Sequence, residues 1–204
     1  MRTLLRQRMF VACLVTAAIG FALTDRPALK KVFKKDFHLG AALSYEQVAG
    51  KDAAAAALVK EQFNSITAEN ILKWERVHPE LLRYDFAPVD SFVAFGEKHG
   101  MFIVGHTLVW HNQTPRWVFE DGAGKPATRE MLLQRLRDHI FTVVGRYKGR
   151  IRYKGRIYGW DVVNEAFEDD GSPHKTKWRE IIGPDYVQKA FEFAREADPK
   201  AELY

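Results

Sequence analysis

The chain has 204 residues, enough for one substantial domain, and its 47% hydrophobic and 28% charged content is that of a globular protein, which excludes a disordered one. Its formal charge of +5 falls by three, to +2, if the arginines of the N-terminal segment are removed with a leader, so no nucleic-acid partner is implied. Its single cysteine excludes a disulfide framework and a cysteine-based metal site.

Arg2, Arg6 and Arg8 precede an apolar run, Met9 to Leu23, of about fifteen residues, too short to span a bilayer comfortably and suited to a secretory signal. The small residues Gly20 and Ala22 place the cut near Ala22. The expected organisation is a signal peptide at 1–22, a lead-in at 23–36 and a domain at 37–204. Cys13 lies inside the run, so the secreted protein would carry no thiol and keep no stable membrane partner.

From Phe37 onward, short apolar runs alternate with longer amphipathic ones, the mark of βα units around a parallel sheet. The first strand is predicted at Phe37–Leu43. An alanine-rich helix at Asp52–Gln62 follows, with Asp52 as its cap. The second strand, Ser65–Glu69, runs into Asn70-Ile71-Leu72-Lys73-Trp74, which sets a carboxylate, an amide and an ammonium within one turn: partners for sugar hydroxyls, or a solvated helix start. A helix at Val89–Lys98 stops at Gly100, where glycine can take the left-handed conformation.

Strand three, Phe102–Trp110, ends in Gly105-His106-Thr107-Leu108-Val109-Trp110-His111-Asn112-Gln113. Strand alternation puts His106 and Trp110 on one face and His111 on the other, which argues against a two-histidine metal site. Thr128–Val144 reads as the next helix, with Thr128 as its cap. Arg146-Tyr147-Lys148-Gly149-Arg150-Ile151 is then repeated unchanged as Arg152-Tyr153-Lys154-Gly155-Arg156-Ile157. The repeat supplies either a basic anion-binding patch or a plain duplication. A six-residue insertion would rotate a helix face by about 240°, so it is placed in the connection, on the side of the sheet away from the chemistry.

Strand four, Ile157–Asn164, carries Trp160, Val162 and Asn164 on one face, with Glu165 just past its end. A carboxyl beside an apolar strand and an amide can hold its proton above the usual pKa and give it to a leaving oxygen. The last helix opens at Gly183-Pro184-Asp185, with the proline in its first turn, and closes before Asp198-Pro199. Ala201–Tyr204 begins a fifth strand. Working residues of βα barrels sit at the C-terminal strand ends, and strands two, three and four each deliver polar and aromatic groups there.

Phe63-Asn64-Ser65-Ile66-Thr67-Ala68-Glu69-Asn70 with Lys73-Trp74, Gly105 to Gln113, and Trp160 to Ala166 closely resemble family 10 glycoside hydrolases, which are endo-β-1,4-xylanases. The resemblance covers about Phe37 to Tyr204 and implies a partial (β/α)8 TIM barrel, about its first five βα units. It implies a retaining mechanism with Glu165 as general acid/base and Asn164 holding the sugar 2-hydroxyl and the nucleophile. Glu69, Asn70 and Lys73 would bind the non-reducing side, and His106, Trp110 and Gln113 would line the −1 and −2 positions. Together with the N-terminal segment, this leads to the expectation of a secreted monomer acting on xylan, with no cofactor and no metal.

The family's nucleophile lies in a Thr-Glu-Leu-Asp-like segment that these residues do not contain, whereas retaining chemistry needs two carboxyls about 5 to 5.5 Å apart. Glu69 is on a distant strand end and Asp161 sits back along the same strand, so neither substitutes. The chain is therefore expected to be inactive alone and, with two open sheet edges, to aggregate. A cellulase-like β-1,4-glycanase and a non-catalytic xylan-binding remnant are the alternatives.

Overall fold

A computed structural model of the chain describes residues 27–149 and 156–204; the leader with Cys13 and most of the second hexapeptide lie outside the described residues. Its framework is a parallel sheet of β1 (Gly40–Leu43), β2 (Ser65–Ala68), β3 (Phe102–Val109), β4 (Gly159–Val163) and β5 (Glu202–Leu203), in sequence order. The five expected strands are present. The second and third start where the pattern places them; the first, fourth and fifth start later, because Phe37, Ile157 and Ala201 are apolar without pairing in the ladder.

Around the sheet run α1 (Leu29–Val32), α2 (Tyr45–Val48), α3 (Ala53–Gln62), α4 (Trp74–Val77), α5 (Ala87–Lys98), a 3-10 turn (Arg116–Phe119), α6 (Arg129–Tyr147), α7 (Lys177–Ile181) and α8 (Tyr186–Ala197). The lead-in is tied to the first long helix: Leu29 N donates to Gln62 Oε1 at 2.9 Å, and Lys30 Nζ reaches the Lys60 carbonyl. Two caps are as read: Asp52 Oδ1 accepts from Ala55 N at 2.9 Å and Thr128 Oγ1 from Met131 N at 3.2 Å. Gly100, at φ +62, ends α5 in the left-handed region that glycine enters without a Cβ clash.

Two helix ends depart from expectation. Helix α6 runs through Gly145 to Tyr147, because Tyr147 is buried with its hydroxyl donating to Asp90 Oδ1 (2.9 Å) and Arg146 Nε donates to the same carboxylate (2.9 Å). This anchoring outweighs the glycine's helix-breaking tendency, so the first hexapeptide begins inside the helix rather than in the loop. Helix α8 begins at Tyr186, leaving Pro184 in the preceding turn instead of in the first helical turn. Asp185 does not cap it with its side chain; its carboxylate is held in a fork by Arg129 at 2.9 and 2.7 Å, joining the starts of α6 and α8.

The core lies between sheet and helices. Leu132, Leu136, Ile140 and Val143 form the buried stripe of α6, facing the small residues Ala190, Ala194 and Ala197 of α8. A Cβ at Gly96 of α5 would meet Ile103 and Ile66, which fixes those strand residues on the helix side. By alternation Ile103, Gly105, Trp160 and Val162 face the helices, and Val104, His106 and Asp161 face the inner side of the sheet. At the lower end His38, Phe102 and Tyr158 stack in line, with centroids 4.9 and 4.8 Å apart. Among the described residues no helix is long and apolar enough to cross a membrane.

Candidate functional site at the C-terminal strand ends

Three strands deliver the site. Past β4, Asn164 N donates to the Val109 carbonyl at 2.9 Å, which keeps the pairing with β3 in step for one residue beyond the strand. Glu165 follows in the left-handed region at φ 52, a conformation that costs a non-glycine residue about 1–2 kcal/mol and turns its side chain across toward β3. There Glu165 Oε2 accepts the Trp110 indole N–H at 2.7 Å. The carboxyl is 53% exposed. The apolar enclosure expected around it is absent in the described residues; an indole N–H and an imidazole are its neighbours instead.

That imidazole is His111, whose Nε2 lies 3.7 Å from Glu165 Oε2. Alternation had pointed it away from Trp110, and this is corrected by the strand's end: β3 stops at Val109, its register shifts between His106 and Val109, and Leu108 and Val109 are buried consecutively. Counting parity past His106 therefore fails. Burial first, then the neighbouring His174, holds His111 below the usual histidine pKa, while Glu165 and Glu168 pull it up. His111 stacks on His174 at 4.2 Å, and its buried Nδ1 has no partner among the described residues. No motif on one strand could have shown this, since His174 comes from the loop after β4.

Trp110 is the junction. Its indole lies under Lys73 Nζ, 4.7 Å from the ring centroid, and Lys73 Nζ also donates to Asn70 Oδ1 at 3.0 Å. Its carbonyl accepts from Trp178 Nε1 (2.9 Å) and Thr114 Oγ1 (2.8 Å). Asn70, Lys73, Trp110 and Glu165, from three strand ends, thus form one connected set. Trp178, on the short helix α7 that periodicity missed, buttresses it from below.

The other expected residues stand beside this set. His106 turns to Asp161, Nδ1 to Oδ2 at 2.8 Å, its register partner on the inner face of the sheet. Asp161 thereby joins the site as a residue the motif reading dismissed; pairing β3 with β4 in register would have revealed it. Gln113 is in the left-handed region at φ 47, and its carbonyl accepts from Glu75 N at 2.8 Å, fixing the β3 loop to α4. Glu69 N donates to the Leu43 carbonyl at 3.0 Å, while its exposed side chain contacts none of the others. Among the described residues no group of three or more His, Cys, Asp or Glu is placed to hold a metal ion.

The Glycosyl hydrolase family 10 profile matches residues 28–204. Endo-1,4-beta-xylanase A of Xylanibacter ruminicola is 44% identical over 195 residues, covering 96% of this chain and 51% of the relative. Exoglucanase XynX of Acetivibrio thermocellus is 44% identical over 182 residues, 88% of this chain and 17% of its own length. The structure of TsXylA, an intracellular xylanase from Thermoanaerobacterium saccharolyticum, superposes with a TM-score of 0.82 at 44% identity, covering 88% of this chain and 56% of that one; a variant of it is solved with xylotriose. The chain thus spans about half the length of the xylanase relative it matches. Five parallel strands with helices between them, a glutamate past the fourth and a match over nearly all of the described residues make one statement: this chain belongs to glycosyl hydrolase family 10.

Proposed function

We propose that this chain supplies the acid/base and non-reducing-side half of a retaining endo-β-1,4-xylanase. The observation that carries the reading is the hydrogen bond from Trp110 Nε1 to Glu165 Oε2 with Lys73 over the same indole, which aims a carboxyl at the mouth of the sheet beside sugar-binding groups. Glu165 would give its proton to the glycosidic oxygen as the bond to the sugar breaks, and as carboxylate it would then take a proton from the water that releases the glycosyl-enzyme. Asn164 would hold the 2-hydroxyl, Glu69, Asn70 and Lys73 the non-reducing side, and His106, Trp110 and Gln113 the −1 and −2 sugars. The nucleophile that forms the covalent bond would come from polypeptide outside these 204 residues.

Two measurements test this. Isothermal titration of the chain with xylotriose should show binding that Lys73→Ala abolishes, and residues 23–204 alone should release no sugar from xylan while a longer polypeptide carrying the nucleophile does. Xylan hydrolysis by residues 23–204 alone, or no xylotriose binding, overturns the proposal. A β-1,4-glucanase is the second reading, favoured by the exoglucanase name of one relative; the ratio of activity on xylan to that on carboxymethylcellulose in the longer polypeptide decides between them. Arg2, Arg6, Arg8 and the apolar run after them support secretion, in contrast to the intracellular TsXylA; fractionation of an expressing culture tests it.

A further inference from the structure

At the end of the sheet away from Glu165, a pocket of ≈ 470 Å³ is lined by Glu97, Gly145, Arg146, Lys148 and Arg156. Helices α5 and α6 both end there, just before β3 and β4 begin, and the six residue steps from Gly159 to Glu165 separate it from the acid/base by about 20 Å. We infer that this pocket binds the carboxylate of an acidic sugar, a uronate residue of an acidic polysaccharide, apart from the cleft at the strand ends. The inference goes beyond the proposed function and does not depend on it.

The fold holds the cations in place before any ligand arrives. The first copy of the hexapeptide supplies Arg146 and Lys148 and the second supplies Arg156, and the bond from Arg156 N to the Tyr147 carbonyl at 2.9 Å brings the two copies together. Arg156 gives Nε and Nη2 to Glu97 at 2.7 and 2.9 Å, and Arg146 gives the same two nitrogens to Asp90. A guanidinium has five N–H groups, so each arginine keeps three for a ligand. Arg146 also lies over Phe86 at 4.5 Å and Arg156 over Tyr147 at 5.8 Å, which restricts both further. Lys148 is exposed, makes no ion pair among the described residues, and adds a third cation.

Charge and geometry select the ligand. Three cations against the carboxylates of Glu97 and Asp90 leave one net positive charge, the complement of a monoanion. A phosphate monoester, with a charge of about −1.5 to −2, would set its excess against Glu97. Planar guanidinium edges match the two oxygens of a carboxylate. Glu97 has two of its acceptor sites taken by Arg156 and can still accept from hydroxyls, which a uronate carries beside its carboxylate. The volume is within the range of ligand clefts, roughly 300–1,000 Å³.

The test is isothermal titration of the full chain at low salt with trigalacturonate, set against inorganic phosphate and xylotriose. Trigalacturonate should bind more tightly than phosphate and equally well with xylotriose present. Lys148→Ala, whose side chain supports nothing else, should weaken it about fivefold. Arg156→Lys keeps the charge but loses the fork, and should weaken it at least as much; if that variant does not fold, Lys148→Ala decides. Lys125→Ala removes an exposed lysine beyond the other end of α6 and should change nothing. The inference is overturned by any of four results: no trigalacturonate binding, tighter binding of phosphate, competition by xylotriose, or wild-type affinity in either folded pocket variant. Equal weakening by Lys125→Ala overturns it too, since that is general attraction to a basic chain. Failure of xylotriose itself to bind refutes the proposed function and leaves this site standing.

Discussion

Deleting residues 150–155 should leave the fold intact and raise its stability. Tyr147 ends α6, and Arg156 N donates to the Tyr147 carbonyl at 2.9 Å, so the chain returns after residues 148–155 to the point it left. Because the hexapeptides are identical, removing 150–155 joins Gly149 to Arg156 and restores a single Arg-Tyr-Lys-Gly-Arg-Ile run. The bond from Arg156 N to Tyr147 O then closes a four-residue turn with Lys148 and Gly149 at its centre. Lys148 already has φ −62 and ψ 129, close to the first central position of a type II turn, and glycine is the residue that type wants second.

The anchors on both sides survive the deletion. Arg146 and Tyr147 keep Asp90, and Arg156 keeps its two hydrogen bonds to Glu97 at 2.7 and 2.9 Å. Shortening the connection from 148–155 to Lys148-Gly149 halves it twice, which at about 0.6 kcal/mol per halving is a gain of about 1.2 kcal/mol in loop-closure entropy. Urea unfolding followed by tryptophan fluorescence should show a higher midpoint with an unchanged slope. A midpoint lowered by the equivalent of 1 kcal/mol or more, roughly the gain inverted, would show that the repeat carries structure and would refute the reasoning.

Acid should destabilise the fold through His139, whose pKa is held far below its ordinary value by complete burial and then by His78 beside it; the unfolded chain binds a proton below about pH 6.5 that the fold refuses, so stability present above that pH is lost by about 1.4 kcal/mol per unit as pH falls, and His139→Phe should flatten this slope in urea titrations between pH 8 and 5. Gly105→Ala should cost about 1–3 kcal/mol in thermal melting, because a Cβ there would overlap the Trp160 indole on the next strand. Trp178→Phe removes the N–H donor to the Trp110 carbonyl, which Thr114 still serves, so a loss of about 0.5–1.5 kcal/mol in unfolding together with several-fold weaker xylotriose binding is expected. Asp161→Asn keeps the shape but removes the charge facing His106; xylotriose affinity should fall while the melting temperature moves little, and an unchanged affinity would show His106 to be independent of it.

What the sequence made legible was what local chemistry decides alone. Asp52 and Thr128 announce their helices because an oxygen before an amphipathic run has orphan amides to accept from, and Gly100 stops α5 because it can enter positive φ. The strand-end motifs of β2, β3 and β4 meet at one mouth because a parallel sheet puts all C-terminal ends on one side. What stayed hidden depends on partners far along the chain. Tyr147 extends α6 past a glycine only because Asp90 is there to receive its hydroxyl, and α7, five residues with one buried tryptophan, has too little periodicity to read. His111 was lost for a narrower reason: a period of two is valid only while the ladder lasts, and this one shifts register after His106.

The buried ring stack beneath the site links these observations. His78 Nε2 faces the Leu81 carbonyl at 3.2 Å and so carries a proton, which leaves its Nδ1 to accept from His139 Nδ1 at 3.2 Å. The two neutral rings thereby hold opposite tautomers; the His139 ring stacks on Trp74 with centroids 3.7 Å apart, and its Nε2 is left as a buried lone pair with no partner among the described residues. Trp74 also packs on Trp178, whose N–H holds the Trp110 carbonyl, and Trp110 holds Glu165. A proton on His139 would put a charge in the middle of that support. The pH range in which the fold is stable is therefore also the range in which the groups beneath Trp110 stay packed, and loss of xylotriose binding on acidification should follow the unfolding curve in wild type and shift with it in His139→Phe.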